Sequence, residues 1–161
     1  MTKEGAVKGT IGLSLLAGFL WVCLFLYWHF KILGAITTLM NQTTPPKPGS
    51  AQNKVNYAAP DEPIGEIEDA GCRALPYLVK SLDAEKNPAY LLLAYDLLRN
   101  MTAPPNPQST AHPQCPDVRL SYEDGPPERK DKIEEIRSWW TLHGKEFHQG
   151  WRIWAPRCPR E

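Results

Sequence analysis

Five side chains in the C-terminal half of the sequence have the chemistry of metal ligands. They are His112, Cys115, His143, His148 and Cys158. Zinc sites take imidazole and thiolate ligands, usually supplied by compact pairs such as Cys-x-x-Cys or His-x-x-x-His. The spacing here matches neither pattern, and the sequence has no Cys-x-x-Cys-His haem attachment motif. We therefore expect no metal site.

The cysteines favour a disulfide instead. Cys115 and Cys158 each lie in an irregular, proline-flanked segment, PQCPD and PRCPR, where a bridge would hold two poorly structured parts of a small domain together. We predict a Cys115–Cys158 bridge, which would place the domain in an oxidising compartment. Cys72 lies on a predicted helix and is expected to be a small buried side chain.

The sequence contains no recognisable catalytic motif. It has no phosphate-binding glycine loop, no Gly-x-Ser-x-Gly elbow and no His-Glu-x-x-His. Adjacent Glu134 and Glu135 would point in different directions on a helix, as on a solvated face. We predict a protein that is not an enzyme and has no catalytic residues, cofactor or small-molecule substrate. A formal net charge of zero also argues against nucleic-acid binding, which usually needs a clustered basic surface.

The longest uninterrupted pattern is apolar and lies near the N-terminus. Residues 9–30, GTIGLSLLAGFLWVCLFLYWHF, contain no Asp, Glu, Lys or Arg. About 20 apolar helical residues cross the hydrocarbon core of a bilayer. A cleaved signal peptide has a shorter apolar region and a small-residue cleavage site, whereas this run is followed directly by Lys31. The pattern predicts a single membrane-spanning helix.

Two features of this helix suggest contacts. Small residues recur every fourth position and would let another helix approach closely; they are Ala6, Thr10, Ser14 and Gly18. The other end carries amphipathic side chains typical of a membrane interface; they are Tyr27, Trp28, His29 and Lys31. His29, beside aromatic residues, is also a weak candidate for ligating the metal of a haem or pigment.

The rest of the chain alternates between helical patterns and proline-rich segments, since all 16 prolines follow residue 44. Residues 41–63 are predicted to be a semi-rigid linker. Apolar periodicity predicts a helix over 64–82, in which Pro76 marks a kink or a new start, and a second helix from Pro88 to about residue 101. A third helix is predicted to begin at Pro127 and end at Gly144. The first two should form an antiparallel pair.

Four tryptophans lie close together in the sequence near the C-terminus. They are Trp139, Trp140, Trp151 and Trp154. They are expected either to complete a core that the helical pair is too small to form alone, or to form an exposed patch for a partner protein or the membrane surface. Some of the four tryptophans could belong to the core and others to the patch.

Two stretches of this region, GCRALPYLVKSLD and NPAYLLLAYDLLRNMT, resemble consecutive helices of a HEAT-like repeat, with an Ala-Leu-Pro-x-Leu helix followed by an Ala-x-x-Leu-Leu helix. Some bacterial HEAT-like proteins look similar in ending with a helix such as KIEEIRSWWTLHGKEF. The resemblance covers about 64–102 and 128–147 and implies protein binding rather than catalysis. The chain contains one such hairpin and a fragment, and it lacks the Arg commonly found early in the second helix.

The expected fold is mainly α, with one membrane helix and a small helical soluble domain joined by long proline-rich loops. We expect an N-terminal tail (1–8), the membrane helix with an extension (9–40), the linker (41–63) and the soluble domain (64–161). The predicted function is that of an accessory or scaffold subunit of a larger membrane protein complex. The alternatives are a free membrane-tethered adaptor that binds soluble partners through its tryptophans, and a pigment-, haem- or metal-binding subunit. Lys3 and Lys8 before the span nearly balance Lys31 and Lys47 after it, so the predicted bridge decides the orientation, with the domain in the periplasm of a bacterial source.

Overall fold

The computed structural model describes residues 3–44, 61–104 and 113–148, with side chains from residue 16 onward except that of His148. The protein is mainly helical. Its helices are α1 (Lys3–Gln42), α2 (Asp61–Ala70), α3 (Leu75–Ser81), α4 (Pro88–Thr102) and α5 (Pro126–His148), with a 3₁₀ turn at Gly71–Arg73 between α2 and α3. The chain divides into two compact units, Met1–Lys31 and Ile32–Glu161.

Helix α1 contains the whole predicted apolar run and continues beyond it, as a segment without Pro allows. It is the one helix among the described residues that is long and apolar enough to span a membrane. Only its first part belongs to the first unit. The final turns, from Ile32 onward, belong to the second unit.

The final turns of α1 have one buried face. Ile32, Ala35, Ile36 and Leu39 lie on it at steps of three and four residues, and Thr43 continues the same row. Leu33, on another face, is exposed. The sequence predicted that residues 31–40 extend the membrane helix. The structure adds that this extension is part of the core of the folded unit.

The predicted helix over 64–82 is two helices, α2 and α3. Gly71 has a φ of 57°, a left-handed conformation that glycine adopts without steric cost, and this residue ends the regular α2 geometry. Pro76 lies in the first turn of α3, where a missing backbone N–H breaks no hydrogen bond. Pro76 therefore marks a new start, which was one of the two alternatives that the sequence left open.

Helix α4 begins at a capped turn. The Asn87 side chain accepts a hydrogen bond from the backbone N–H of Ala89 at 3.0 Å, and Pro88 follows as the first helical residue. The Asn87 amide nitrogen also donates to the Thr43 carbonyl at 2.7 Å. One side chain thus satisfies backbone groups at the start of α4 and just after α1.

Helix α4 is buried around most of its circumference. Its buried residues include Leu92, Leu93 and Tyr95 as well as Leu91 and Ala94. Helix α3 packs on both α4 and α5. The Tyr90 hydroxyl on α4 donates to Ser81 Oγ, which donates to the Leu78 carbonyl at 2.7 Å.

Helix α5 is longer than predicted. Gly144 does not end it, because the helix continues to His148. The indole ring of Trp140 occupies the space beside Gly144, and a Cβ at that position would lie 2.8 Å from Trp140 Cε2. Gly144 therefore permits a close aromatic contact within the helix instead of terminating it. The Arg137 guanidinium links α5 to the end of α3 by donating to the Leu82 carbonyl at 2.7 Å.

Candidate interaction surfaces

The first candidate surface is the exterior of α1 between Leu16 and Phe30. Ten large apolar side chains in this stretch are exposed: Leu16, Phe19, Leu20, Trp21, Val22, Leu24, Phe25, Leu26, Tyr27 and Phe30. Their positions cover every direction around a helix with 3.6 residues per turn. A helix that is hydrophobic all round is either buried in a large protein or placed in a membrane.

Aromatic rings are stacked along this helix. Trp21 and Phe25 stack with centroids 6.0 Å apart, and Phe25 and His29 stack at 6.2 Å. At the end of the same stretch the Lys31 ammonium lies 5.6 Å from the centre of the Trp28 ring, and Tyr27 meets Trp28 edge-on. Three of the predicted interfacial residues, Tyr27, Trp28 and Lys31, thus contact one another, while His29 contacts Phe25 and Phe30. The assignment of His29 as a metal ligand stays a prediction.

The predicted small-residue ridge is described only at its last member. The side chains of Ala6, Thr10 and Ser14 lie outside the described side chains. A Cβ added to Gly18 would meet no atom within 4 Å. This position is open to contact from outside the chain, and the ridge stays a prediction.

The second candidate surface is an aromatic cluster on α5. Trp139 and Trp140 are half-buried, and Phe147 is buried. The Trp140 and Phe147 rings are stacked at 5.9 Å, while Trp139 and Phe147 are 5.8 Å apart. His143 Nδ1 lies 2.9 Å from Glu146 Oε1. The cluster combines apolar ring faces with polar groups at its edge.

The same helix presents an exposed apolar side chain, since Leu142 is 73 % exposed. Trp139 Nε1 is buried and has no hydrogen-bond partner among the described residues. Trp139 and Trp140 are therefore each partly buried and partly exposed, and whether the tryptophans form core or a partner patch stays a prediction. Trp151 and Trp154 lie outside the described residues.

The predicted Cys115–Cys158 bridge is wrong. Cys115 is a free, buried thiol, and Cys72 is the cysteine that forms a disulfide. Cys158 lies outside the described residues. Cys115 is held in the segment after α4, where its backbone N–H donates to Thr102 Oγ1 at 3.2 Å. Burial raises the pKa of the Cys115 thiol to about 12, so it remains protonated near neutral pH.

Tyr95 holds the segment around Cys115 against α4. Its hydroxyl donates to the Pro116 carbonyl at 3.0 Å and accepts from the Val118 N–H at 3.0 Å. Arg99 also contacts Asp117, at 3.6 Å. A proline-rich segment has few backbone partners of its own, so the Tyr95 hydroxyl supplies both a donor and an acceptor that the segment needs.

We expect Tyr95→Phe to lower the free energy of unfolding by about 1–3 kcal/mol, because the buried Val118 N–H and the Pro116 carbonyl lose their partner. Urea unfolding of the full-length chain in detergent measures this change. Tyr122→Phe is the matched control, since the Tyr122 hydroxyl is buried with no partner among the described residues. Equal destabilisation by the two variants would mean that the hydrogen bonds of the Tyr95 hydroxyl do not hold this segment against α4.

A second polar link holds the turn that precedes α5. Lys132 Nζ lies 2.8 Å from Asp124 Oδ1 and 3.2 Å from both the Arg119 carbonyl and Glu128 Oε1. Asp124 Oδ2 accepts from the Ser121 N–H at 2.7 Å. Arg119 has a φ of 47°, so this link holds a non-glycine residue in the left-handed region.

These contacts shift two ionisation equilibria. Burial alone would raise the pKa of Asp124, but the hydrogen bonds from Lys132 and from the Ser121 N–H outweigh it and lower that pKa. The hydrogen bond to Asp124 raises the pKa of Lys132. The ion pair between them is therefore favoured throughout the neutral range.

The lowered pKa of Asp124 predicts acid sensitivity. Below the ordinary aspartate pKa of 3.8 the unfolded chain binds a proton at this carboxyl more readily than the folded chain does, so stability rises with pH there. The contribution is fully present above that pKa and is lost as pH falls through the lower folded pKa. Urea unfolding of the natural chain and of Asp124→Asn between pH 2 and pH 6 measures this contribution. If the free energy of unfolding of the variant fell with decreasing pH as steeply as that of the natural chain, Asp124 would not be the cause.

A shallow groove of about 240 Å³ lies between α5 and the turn after α3. Its lining mixes acidic and basic groups: Asp83, Ala84, Glu85, Lys130, Ile133, Glu134 and Arg137. Arg137 is already bonded to Glu134 at 2.8 Å as well as to Leu82. Small-molecule pockets usually enclose about 300–1,000 Å³, so this groove is smaller than a usual one.

Within residues 3–44, 61–104 and 113–148, no group of three or more His, Cys, Asp and Glu side chains is arranged to hold a metal ion. His112 and Cys158 lie outside those ranges, and the side chain of His148 is not described. Glu134, as predicted, is on the surface, where it pairs with Arg137.

No protein-family model matches this sequence, and neither the comparison with curated proteins nor the comparison with solved structures found a match. The resemblance to HEAT-like repeats stays a prediction.

Proposed function

We propose that this chain is a non-catalytic accessory or scaffold subunit of a membrane protein complex. Its helix α1 would span the membrane and pack on helices of partner subunits, while the helical domain would cover their extramembrane face. The observation that carries the proposal is the uniformly apolar, exposed surface of α1 from Leu16 to Phe30.

The energetic argument concerns the ten exposed apolar side chains of that surface. Withdrawing one Leu, Val or Phe side chain from water is worth about 1.5–3 kcal/mol. Ten of them left in water would therefore cost as much as the whole net stability of a typical domain, about 5–15 kcal/mol. Lipid or partner helices must cover this surface.

The choice of a subunit over a lone anchor rests on the small-residue ridge. Close helix approach in lipid depends on small side chains, because no hydrophobic effect drives association there. Gly18, the described member, has open space beside it. A lone anchor has no need of such a position.

We also propose that the domain lies outside the cytoplasm, which in a bacterial source means an inner-membrane protein with a periplasmic domain. The support is the disulfide at Cys72, since such bonds persist in oxidising compartments. Intact cells would be treated with an impermeant reductant and then an impermeant thiol reagent. Labelling of Cys72 is expected, and labelling only after lysis would contradict the orientation.

The subunit proposal is tested by extraction from native membranes in a mild detergent. The full-length chain should elute with partner subunits at a mass well above its own 18.2 kDa. Gly18→Leu should release it from them, because a large side chain prevents close helix approach. Cys23→Leu is the matched control: it also places a large side chain on α1, at an exposed position about 140° around the helix.

Two results would contradict the proposal. One is elution of the natural chain as a free monomer under every mild condition. The other is equal loss of partners from Gly18→Leu and Cys23→Leu, which would mean that the ridge is not the packing face.

The exposed Leu142, three residues after Trp139 on α5, favours a second candidate function, that of a membrane-tethered adaptor which binds a soluble partner. Leu142→Asp should then abolish partner binding while Gly18→Leu leaves it intact. The reverse pattern is expected for the membrane subunit. The two variants therefore separate the two functions in one experiment.

A further inference from the structure

Arg129 is a buried arginine that lacks a partner within the described part of the chain. The residue is only 9 % exposed, and its Nε atom has no hydrogen-bond partner among the described residues. None of the ion pairs between described residues includes it. Arginine is almost never fully buried unless it is paired. This guanidinium therefore needs an anion that residues 3–44, 61–104 and 113–148 do not supply.

The position of Arg129 in α5 does not compensate its charge. Ile133 and Ile136, four and seven residues later on the same face of the helix, are both buried. Arg129 also lies at the start of α5, where its backbone N–H donates to the Gly125 carbonyl at 2.9 Å. The start of a helix is the positive end of its dipole, which favours anions and disfavours cations.

Acidic residues of the same segment are engaged elsewhere. Asp124 Oδ1 and Glu128 Oε1 lie 2.8 Å and 3.2 Å from Lys132 Nζ. The segment is thus held by contacts that do not use Arg129. It also contains the Tyr122 hydroxyl, a second buried group with no partner among the described residues. Native structures rarely leave buried polar groups unsatisfied, so a group from outside the chain is the natural explanation.

We propose that Arg129 binds a carboxylate side chain of a partner subunit. One guanidinium balances the single charge of a carboxylate, whereas a phosphate group carries about 1.5–2 negative charges and would stay partly uncompensated in a buried site. The planar guanidinium also fits a carboxylate through two parallel hydrogen bonds. Arginine is enriched among the residues that dominate binding at protein interfaces. This inference rests on the proposed function, because it names a contact through which the helical domain binds its partner.

The proposal implies that the free chain is less stable than it would be without this charge. Arg129→Met removes the charge and keeps a long side chain, and such replacements of buried ionic groups are often neutral or stabilising. For the full-length chain in detergent without partners, the urea midpoint of Arg129→Met should therefore equal or exceed that of the natural chain. A lower midpoint would overturn the inference, since it would mean that Arg129 is already satisfied in the free chain.

Acetate is the probe for a bound carboxylate. Urea unfolding of the free natural chain is repeated as sodium acetate replaces sodium chloride at constant sodium concentration. Acetate should raise the urea midpoint of the natural chain more than that of Arg129→Met, because a ligand stabilises the folded state that binds it. Equal shifts would overturn the inference. A larger difference between the two chains with phosphate than with acetate would overturn the choice of a carboxylate.

Extraction in mild detergent tests the partner. Arg129→Met should lower the fraction of the chain that elutes with partner subunits by about tenfold or more, as expected for an arginine that dominates an interface. Lys130→Met is the matched control, because Lys130 is the next residue on α5 and is exposed. It should retain the partners.

The two proposals fail separately in this experiment. Retention of partners by Arg129→Met would overturn this inference and leave the subunit proposal intact. A natural chain that elutes as a free monomer would contradict the subunit proposal, and the acetate comparison would still decide whether Arg129 binds a carboxylate.

Discussion

Leu39→Ala is expected to lower the free energy of unfolding of the second unit by about 2–5 kcal/mol. Leu39 is 0 % exposed and lies in the buried row formed by the final turns of α1. Removing its side chain loses the transfer free energy of the buried carbons and leaves a cavity that the helix cannot close completely. The measurement is urea unfolding of the full-length chain in detergent, followed by far-UV circular dichroism.

Leu33→Ala is the matched control for this substitution. Leu33 lies on the same turns of α1 but is 39 % exposed. We expect it to change stability by less than about 1 kcal/mol, since surface substitutions usually have small effects. If both substitutions had the same small effect, residues 32–42 would be embedded in lipid rather than in the core of the folded unit.

Loss of the disulfide is expected to have an effect of similar size. Cys72 forms a disulfide, and removing a native disulfide from a small domain typically costs about 2–5 kcal/mol. For a domain of this size that corresponds to a decrease in melting temperature of about 10–30 °C. Thermal unfolding of the full-length chain, oxidised and reduced, measures the difference.

The disulfide prediction has two checks. Cys72→Ser should melt at the temperature of the reduced natural chain and should no longer respond to reductant. Cys115→Ala, which removes a thiol that forms no bridge, should retain the full response. A chain whose melting temperature is unaffected by reductant would show that the Cys72 bond does not restrain the unfolded chain as proposed.

A hydrogen bond between Asn87 and Thr43 joins the end of α1, where Leu39 lies, to the start of α4. The side-chain amide of Asn87 donates to the Thr43 carbonyl at 2.7 Å, and its oxygen caps α4. Carbonyls at a helix end have no partner within the helix, so a side chain from another element must satisfy them when they are buried. The end of α1 and the start of α4 are therefore held in one folded unit.

The sequence by itself determined the features that depend on local pattern. The uncharged run from Gly9 to Phe30 predicted a helix able to span a membrane, because the length and composition of the run are enough to show that it could cross a bilayer. Pro88 predicted a helix start and Pro76 a kink or a new start, and both prolines lie in first turns, because proline lacks the N–H that helix interiors require.

Tertiary structure decided the features that depend on distance between remote residues. Disulfide pairing is one, because sequence spacing does not show which cysteines come together, and the predicted Cys115 bridge was wrong for that reason. The position of Gly144 within α5 is another. Glycine suits a helix end, but here the helix continues and the Trp140 ring occupies the space where a Cβ would lie. The burial of Leu39 could not be predicted either, because the sequence pattern of an apolar helix face is the same whether lipid or protein covers that face.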